Sequence, residues 1–174
     1  YLSACNITQI SDKTPKELLK LGSFLSKTKV NVIYFADSLG SASPASISEI
    51  IQNLKKEWEG PLGIHAHDNK GLALTNTLKA IECDVEWVDS TITGVGRGPG
   101  NAKTEELIIE LNKELNISEN RTLNLVPLIK LINNFFLPMK NKYSWGTNIF
   151  YYLAGEYSIH PSYIQSMLSD YRYQ

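Results

Sequence analysis

Cysteine is scarce in this chain, and its two examples, Cys5 and Cys83, stand too far apart to suggest a disulfide framework or a metal knuckle. That scarcity points to a reducing compartment, so the cytoplasm is the expected address. No apolar run reaches the roughly 18 residues that cross a bilayer, and no signal-peptide pattern is present, so no membrane partner is expected. Neither sign of charge dominates: 17 Lys and Arg against 18 Asp and Glu leave a formal net charge of -1. The small basic clusters (Lys16 with Lys20, Lys55 with Lys56, Lys140 with Lys142) read as solvated helix faces and loops rather than a stripe for nucleic acid. Internal repeats and low-complexity tracts are also missing. What remains is 174 residues, 43% of them hydrophobic, enough for about one domain with a sizeable core. The text opens on Tyr1 rather than Met, directly on an apolar stretch, so the natural protein is expected to begin upstream.

The patterning alternates between two periods. Tyr1 to Cys5 reads as the end of a strand, with Asn6-Ile7-Thr8-Gln9 as a polar turn. Thr14-Pro15-Lys16-Glu17 is a capping box in front of Leu18, Leu21 and Leu25, a helix expected to end near Thr28. Val30 to Ala36 is a buried strand, after which Ser43-Pro44 opens a helix faced by Ile47, Ile50, Ile51 and Leu54. Leu62 to His67 is the next strand, followed from about Gly71 by a helix with Leu72, Leu74, Leu78 and Ile81 at helical spacing. Val85 to Ile92 is a strand, and helix resumes near Ala102 with Leu107, Ile108 and Leu111. Strand and helix in strict turn predict parallel strands joined by crossovers, either as an open doubly wound sheet or as a barrel. Beyond Asn120 a short strand at Thr122 to Leu125 precedes an expected buried helix (Leu128, Ile129, Leu131, Ile132, Phe135, Phe136) stopped by Pro138. A helix capped by Gly155 and a last one from Pro161 with Ile164, Met167 and Leu168 complete a helical appendix.

Only three histidines are present, and two of them, His65 and His67, sit two apart at the C-terminal end of a predicted strand. Side chains alternate along a strand, so both imidazoles project to the same side. Two imidazoles aimed at one point suit a shared cation, although two hydrogen-bonded interior histidines would leave the same trace. Asp68 and Asn69 are candidates to orient the ligands. The next strand runs into G-V-G-R-G-P-G-N, Gly94 to Asn101, whose glycines let backbone approach a ligand. Asn101 stands where a helix begins, and its amide oxygen cannot serve both a metal and a helix cap. Asp37 and Ser38, at the end of the strand before the histidines, and Arg97, in the glycine loop, are candidate substrate contacts. Asp89, Ser90 and Thr91 stand at the corresponding end of the strand after them.

Taken together, F-A-D-S-L-G-S-A-S-P, H-A-H-D-N-K-G-L-A and D-S-T-I-T-G-V-G-R-G-P-G-N-A-K-T-E resemble the metal-dependent lyase and aldolase TIM-barrel superfamily. That superfamily includes 3-hydroxy-3-methylglutaryl-CoA lyase, 2-isopropylmalate synthase and 4-hydroxy-2-oxovalerate aldolase. The likeness is collinear from about Val30 to Leu111. It implies an α/β fold forming the C-terminal portion of a (β/α)8 barrel, about strands four to eight. A partial barrel domain at 1–124 and a helical region at 125–174 are then expected. It also implies that His65 and His67 are metal ligands and that Asn101 is the ligating asparagine, with Mn²⁺, Mg²⁺ or Zn²⁺ as the cation. The family's first-strand Asp and Arg have no counterpart here and are expected upstream, which leaves the catalytic acid–base group unassigned. The short glycine loop without cysteine and the tail W-G-T-N-I-F-Y-Y-L-A-G look closest to 4-hydroxy-2-oxovalerate aldolase. The implied activity is cleavage or formation of a carbon–carbon bond next to a 2-oxo acid, with an aldehyde as the other partner, in a homo-oligomer able to dock an aldehyde dehydrogenase. A Claisen-type synthase, an amidohydrolase and a non-catalytic binding module are the rival readings. The amidohydrolase is disfavoured because His160 alone remains downstream as a further imidazole.

Overall fold

The computed structural model describes residues 7–11, 15–114 and 123–173. Strand β1 (Ile7–Ser11) leads to α1 (Pro15–Leu25), β2 (Val32–Asp37), α2 (Pro44–Lys55), β3 (Leu62–Ala66), α3 (Ala73–Glu82), the short β4 (Trp87–Val88) and α4 (Thr104–Glu114). Every strand pair is parallel, and the spatial order β1-β2-β3-β4 repeats the chain order. The alternation in the sequence requires this, because a helix must carry the chain back before a parallel neighbour can start.

Strand β2 is buried along its whole length, as an apolar run covered on both faces should be. Its Ile33 and Phe35 join Leu62, Ile64 and Ala66 of β3 in one core with Leu18 of α1 and Ile47, Ile51 and Leu54 of α2. Each such Leu or Ile, fully buried, stabilises the fold by about 1.5–3 kcal/mol. The opposite face of the sheet is what positions the site. There Tyr34 lies in register with Gly63, and Ala36 with His65. Helix α2 starts as expected, with Pro44 in its first turn and the Ser43 hydroxyl accepting from the Ser46 N–H at 3.1 Å.

Several expectations change. Ile7, Thr8 and Gln9 are not a turn: they form β1, in register with Val32, Ile33 and Tyr34, because pairing with a buried strand outweighs local polarity. Tyr1 to Cys5 and Thr14 lie outside the described residues. The buried face of α3 is Ala73, Asn76, Thr77 and Ala80, while Leu72, Leu74, Leu78 and Ile81 are half-buried. Small residues let this helix sit close to the sheet, and the larger ones fill its flanks. The predicted strand from Val85 to Ile92 shrinks to Trp87 and Val88, since the chain turns out of the sheet to carry Asp89 and Thr91 into the loop above. Residues 123–125 pair with no strand, and Thr122 lies outside the described residues.

Residues 126–173 are helical: α5 (Val126–Leu131), a π-helical segment (Ile132–Phe136), α6 (Leu137–Tyr143), α7 (Ile149–Glu156), α8 (Pro161–Ser169) and a final 3₁₀ turn (Tyr171–Tyr173). Pro138 does not stop the helix. It occupies the first turn of α6, next to the π segment, where the i to i−4 ladder is already broken and its missing N–H costs little. None of the apolar residues expected to be buried here is: Ile129, Leu131 and Phe135 are exposed, Phe135 by 56%, and Leu128, Ile132 and Phe136 are half-buried. Gly155 lies inside α7 rather than capping it. A side chain there would press on Lys70 and Asn69, with a β-carbon only 3.0 Å from Lys70 Cγ.

Candidate metal centre

Strand β3 delivers His65 to the face away from the helices, and His67 follows one step past the strand's end. Their rings come together with centroids 4.8 Å apart and planes at 87°. Each ring is oriented through the same nitrogen. His65 Nδ1 donates to the Asp89 carboxylate at 3.0 Å, and His67 Nδ1 donates to the Asp37 backbone carbonyl at 2.9 Å. Because both partners only accept, each Nδ1 carries a hydrogen, and Nε2 is the ring nitrogen left to meet a cation. Burial lowers the His67 pKa from its ordinary value, the bond to Asp37 works against that shift, and His65 adds to it. The ring is therefore neutral at neutral pH, as a ligand must be.

Asp89 has a second neighbour. The Tyr34 ring lies over the backbone of Gly63, and its phenol meets the Asp89 carboxylate. Burial first, and then the Asp89 charge, push the Tyr34 pKa up to about 12, so the phenol stays protonated and can donate to the carboxylate that holds His65.

The glycine loop brings the backbone of Asn101 beside His67. The backbone of Asn101 bridges that of His67, and the Asp68 N–H donates to the Gly100 carbonyl at 3.0 Å. Helix α4 starts only at Thr104, so Asn101 is not its cap. Its amide nitrogen donates instead to the Val95 carbonyl at 3.1 Å, leaving the oxygen for another use. Gly96 makes room for that amide, since a β-carbon there would lie 2.4 Å from Asn101 Nδ2. The loop is held from outside as well. Thr93, with a φ of 55°, donates its N–H to both oxygens of the Glu105 carboxylate at 3.1 and 2.9 Å, and its carbonyl accepts from Trp145 Nε1 at 3.0 Å. A β-branched residue in the left-handed region is strained, and these partners hold it there.

The other predicted residues divide. Asp37 is 1% exposed, and its carboxylate accepts from the Ser41 and Ala42 N–H groups at 3.1 and 3.2 Å, so it ties down its own loop. Its contribution to the site is its carbonyl. Ser38 is half-buried on the same turn. Arg97 is exposed in the glycine loop, close enough for its charge to act on His67 and Tyr151. Asp68 and Asn69 do not orient the imidazoles. Asp68 accepts from the Ala73 N–H at 3.0 Å at the start of α3, and the fully buried Asn69 donates to the Tyr151 carbonyl at 3.3 Å. Tyr34 and the specific role of Asp89 were missed. The position of Asp89 at the neighbouring strand's end was the available signal for its role.

The donor set fits a divalent cation in kind. Two imidazoles and an amide oxygen are nitrogen and oxygen ligands, and a carboxylate behind one imidazole is the usual support for a metal-bound histidine. Among the described residues no group of three or more His, Cys, Asp or Glu completes the set.

A parallel α/β sheet gathers paired imidazoles and an asparagine-bearing glycine loop at its strands' C-terminal ends. The chain belongs to the HMGL-like family, whose pattern matches residues 4–133. A candidate (R)-citramalate synthase of Archaeoglobus fulgidus is 35% identical over 140 residues, 78% of this chain and 28% of that protein. A 4-hydroxy-2-oxovalerate aldolase of Carboxydothermus hydrogenoformans is 37% identical over 99 residues, 57% of this chain and 30% of that protein. The solved N-terminal domain of a candidate aldolase from Bacteroides vulgatus superimposes with a TM-score of 0.79 at 30% identity, covering 94% of this chain and 54% of that one. The chain thus spans about a third or less of these curated relatives and about half of the solved domain.

Proposed function

We propose that this chain supplies the metal-bearing part of an aldolase or lyase that makes or breaks a carbon–carbon bond next to a 2-oxo acid, of the 4-hydroxy-2-oxovalerate aldolase kind. On this reading β1 to β4 belong to a TIM barrel and residues 126–173 form its helical appendix. His65 and His67 hold Mn²⁺, Mg²⁺ or Zn²⁺, and Asn101 supports it through its amide oxygen. The observation that carries the reading is the shared wiring of the two imidazoles: each has Nδ1 committed, one to Asp89 and one to the Asp37 carbonyl, so both Nε2 atoms are left to meet one cation. Held there, such a cation would supply Lewis-acid charge for a 2-oxo acid's carbonyl, with no need for a lysine Schiff base. The protein's part is to hold the rings, to keep His67 neutral by burial, and to offer Arg97 to an anionic substrate.

The candidate citramalate synthase at 35% identity favours a second reading, Claisen condensation of an acyl thioester with a 2-oxo acid. Calorimetric titration of the full chain with Mn²⁺ is the first test: stoichiometric binding that is lost in His65→Ala supports the centre, and unchanged binding in the variant overturns it. Turnover then separates the two chemistries. Release of an aldehyde from 4-hydroxy-2-oxo acids supports the aldolase, whereas condensation dependent on acetyl-CoA assigns the synthase.

A further inference from the structure

The connector between α6 and α7, residues 144–148, is bonded to both loops that carry the candidate ligands. Trp145 Nε1 donates to the Thr93 carbonyl at 3.0 Å, the Gly146 N–H to the Gly98 carbonyl at 2.9 Å, and the Thr147 hydroxyl to the Asn69 carbonyl at 2.6 Å. Trp145 is the centre of this clasp. Its indole is 8% exposed and also lies against the far stem of the glycine loop, since a β-carbon on Gly100 would stand 3.8 Å from Trp145 Cδ1. The two stems are tied to each other, the Asn101 N–H donating to the Gly94 carbonyl at 3.2 Å. From the second stem His67 is one step away, because Asn101 bridges its backbone and the Asp68 N–H donates to the Gly100 carbonyl. The connector's backbone bends sharply to aim the indole, with φ of 50° at Ser144 before it and 121° at Gly146 after it. A serine held in the left-handed region is strained, and the three bonds hold it there.

We infer that Trp145 is a positioning residue of the metal centre, through which the helical appendix sets how tightly the centre holds its cation. This role rests on the function proposed above. A loop in which Gly94, Gly98 and Gly100 all take positive φ is soft by itself, because glycine restricts its backbone least. Left free, the loop would have to be ordered whenever a cation draws on Asn101, and that ordering cost weakens binding. The indole orders it in advance: its N–H fixes the Thr93 carbonyl at one stem, and its ring edge bounds Gly100 at the other. Trp145 acts through the loop alone, since the one polar atom of its side chain is spent on Thr93.

The test is Trp145→Phe in the full chain, which keeps an aromatic ring in the connector and removes the N–H. Calorimetry with Mn²⁺, run well below the unfolding midpoint, should give a dissociation constant about three- to tenfold larger than that of the wild type, the range one neutral hydrogen bond accounts for. Because the brace works through the loop that carries Asn101, the same substitution made in Asn101→Ala should add little further loss. An unchanged dissociation constant beside a lowered unfolding midpoint marks the bond as structural only and overturns the inference. An undiminished loss in the Asn101→Ala background overturns it as well. Should Trp145→Phe fail to fold, Thr147→Val, which loosens the connector that aims the indole, carries the test: weaker Mn²⁺ binding supports the role and unchanged binding overturns it. A wild type that binds no Mn²⁺ brings down the proposed function too, whereas a wild type and a Trp145→Phe variant that bind it equally leave that function standing.

Discussion

Asp89 approaches His65 from the neighbouring strand and is half-exposed, so its value lies in orienting the ring rather than in stability. Asp89→Ala should lower Mn²⁺ affinity by about 10–100-fold with little change in melting temperature, read by calorimetry and thermal unfolding. Tyr34 offers an independent check on the same carboxylate. Its pKa is raised to about 12 in the fold and lies near 10 in the unfolded chain, so the folded state holds one more proton between those values. That contribution to stability is complete below pH 10 and is lost as pH rises through 12. Ultraviolet titration should show Tyr34 ionising late, and in Asp89→Ala its midpoint should fall part of the way back, because burial remains. At this scale the sequence made the imidazole pair legible, since a period of two decides which side chains converge. It did not show that the Asp37 carboxylate ties down its own turn, because a carboxylate after a strand reads the same in that role as beside a ligand. The carbonyl that orients His67 was beyond reach, as every residue has one.

Helix α3 shows where patterning succeeds and where it stops. Its existence and approximate start were plain, yet the buried face belongs to Ala73, Asn76, Thr77 and Ala80 rather than to the leucines. Large apolar residues mark burial against something, and periodicity does not say whether that is the sheet or a flanking helix. Ala80 is fully buried in the main core, so Ala80→Leu should overpack it and cost about 1–3 kcal/mol, measured by denaturant unfolding. Leu78→Ala, at a half-buried flank, should cost less. The start of α2 was legible for the opposite reason: a Ser-Pro cap is local chemistry that tertiary packing does not revise. Pro138 was read as a stop because the rule assumes an α-helical ladder, and the π segment beside it has another.

Across the whole molecule, the helices from 126 onward leave large apolar side chains in the open, including Val126, Ile129, Phe135, Ile149 and Tyr157, at 50% exposure or more. Large apolar side chains left in the open favour association. Sedimentation velocity should show a concentration-dependent species larger than the monomer, and the double variant Ile129→Lys, Phe135→Lys should shift it toward the monomer without lowering the unfolding midpoint. A single species unaffected by the substitutions would refute that expectation. The order of strands and helices was readable because each βα unit is local. The brace between the glycine loop and Trp145 was not, since it joins segments 52 residues apart. One such link also has a temporal side. Asn69 and Tyr151 are separated by 82 positions. At a ribosomal rate of about 5–20 residues per second, the two imidazoles leave the peptidyl-transferase centre on the order of 4–16 s before Tyr151 is made. During that interval the imidazole pair stands without the link that ties the loop behind it to helix α7.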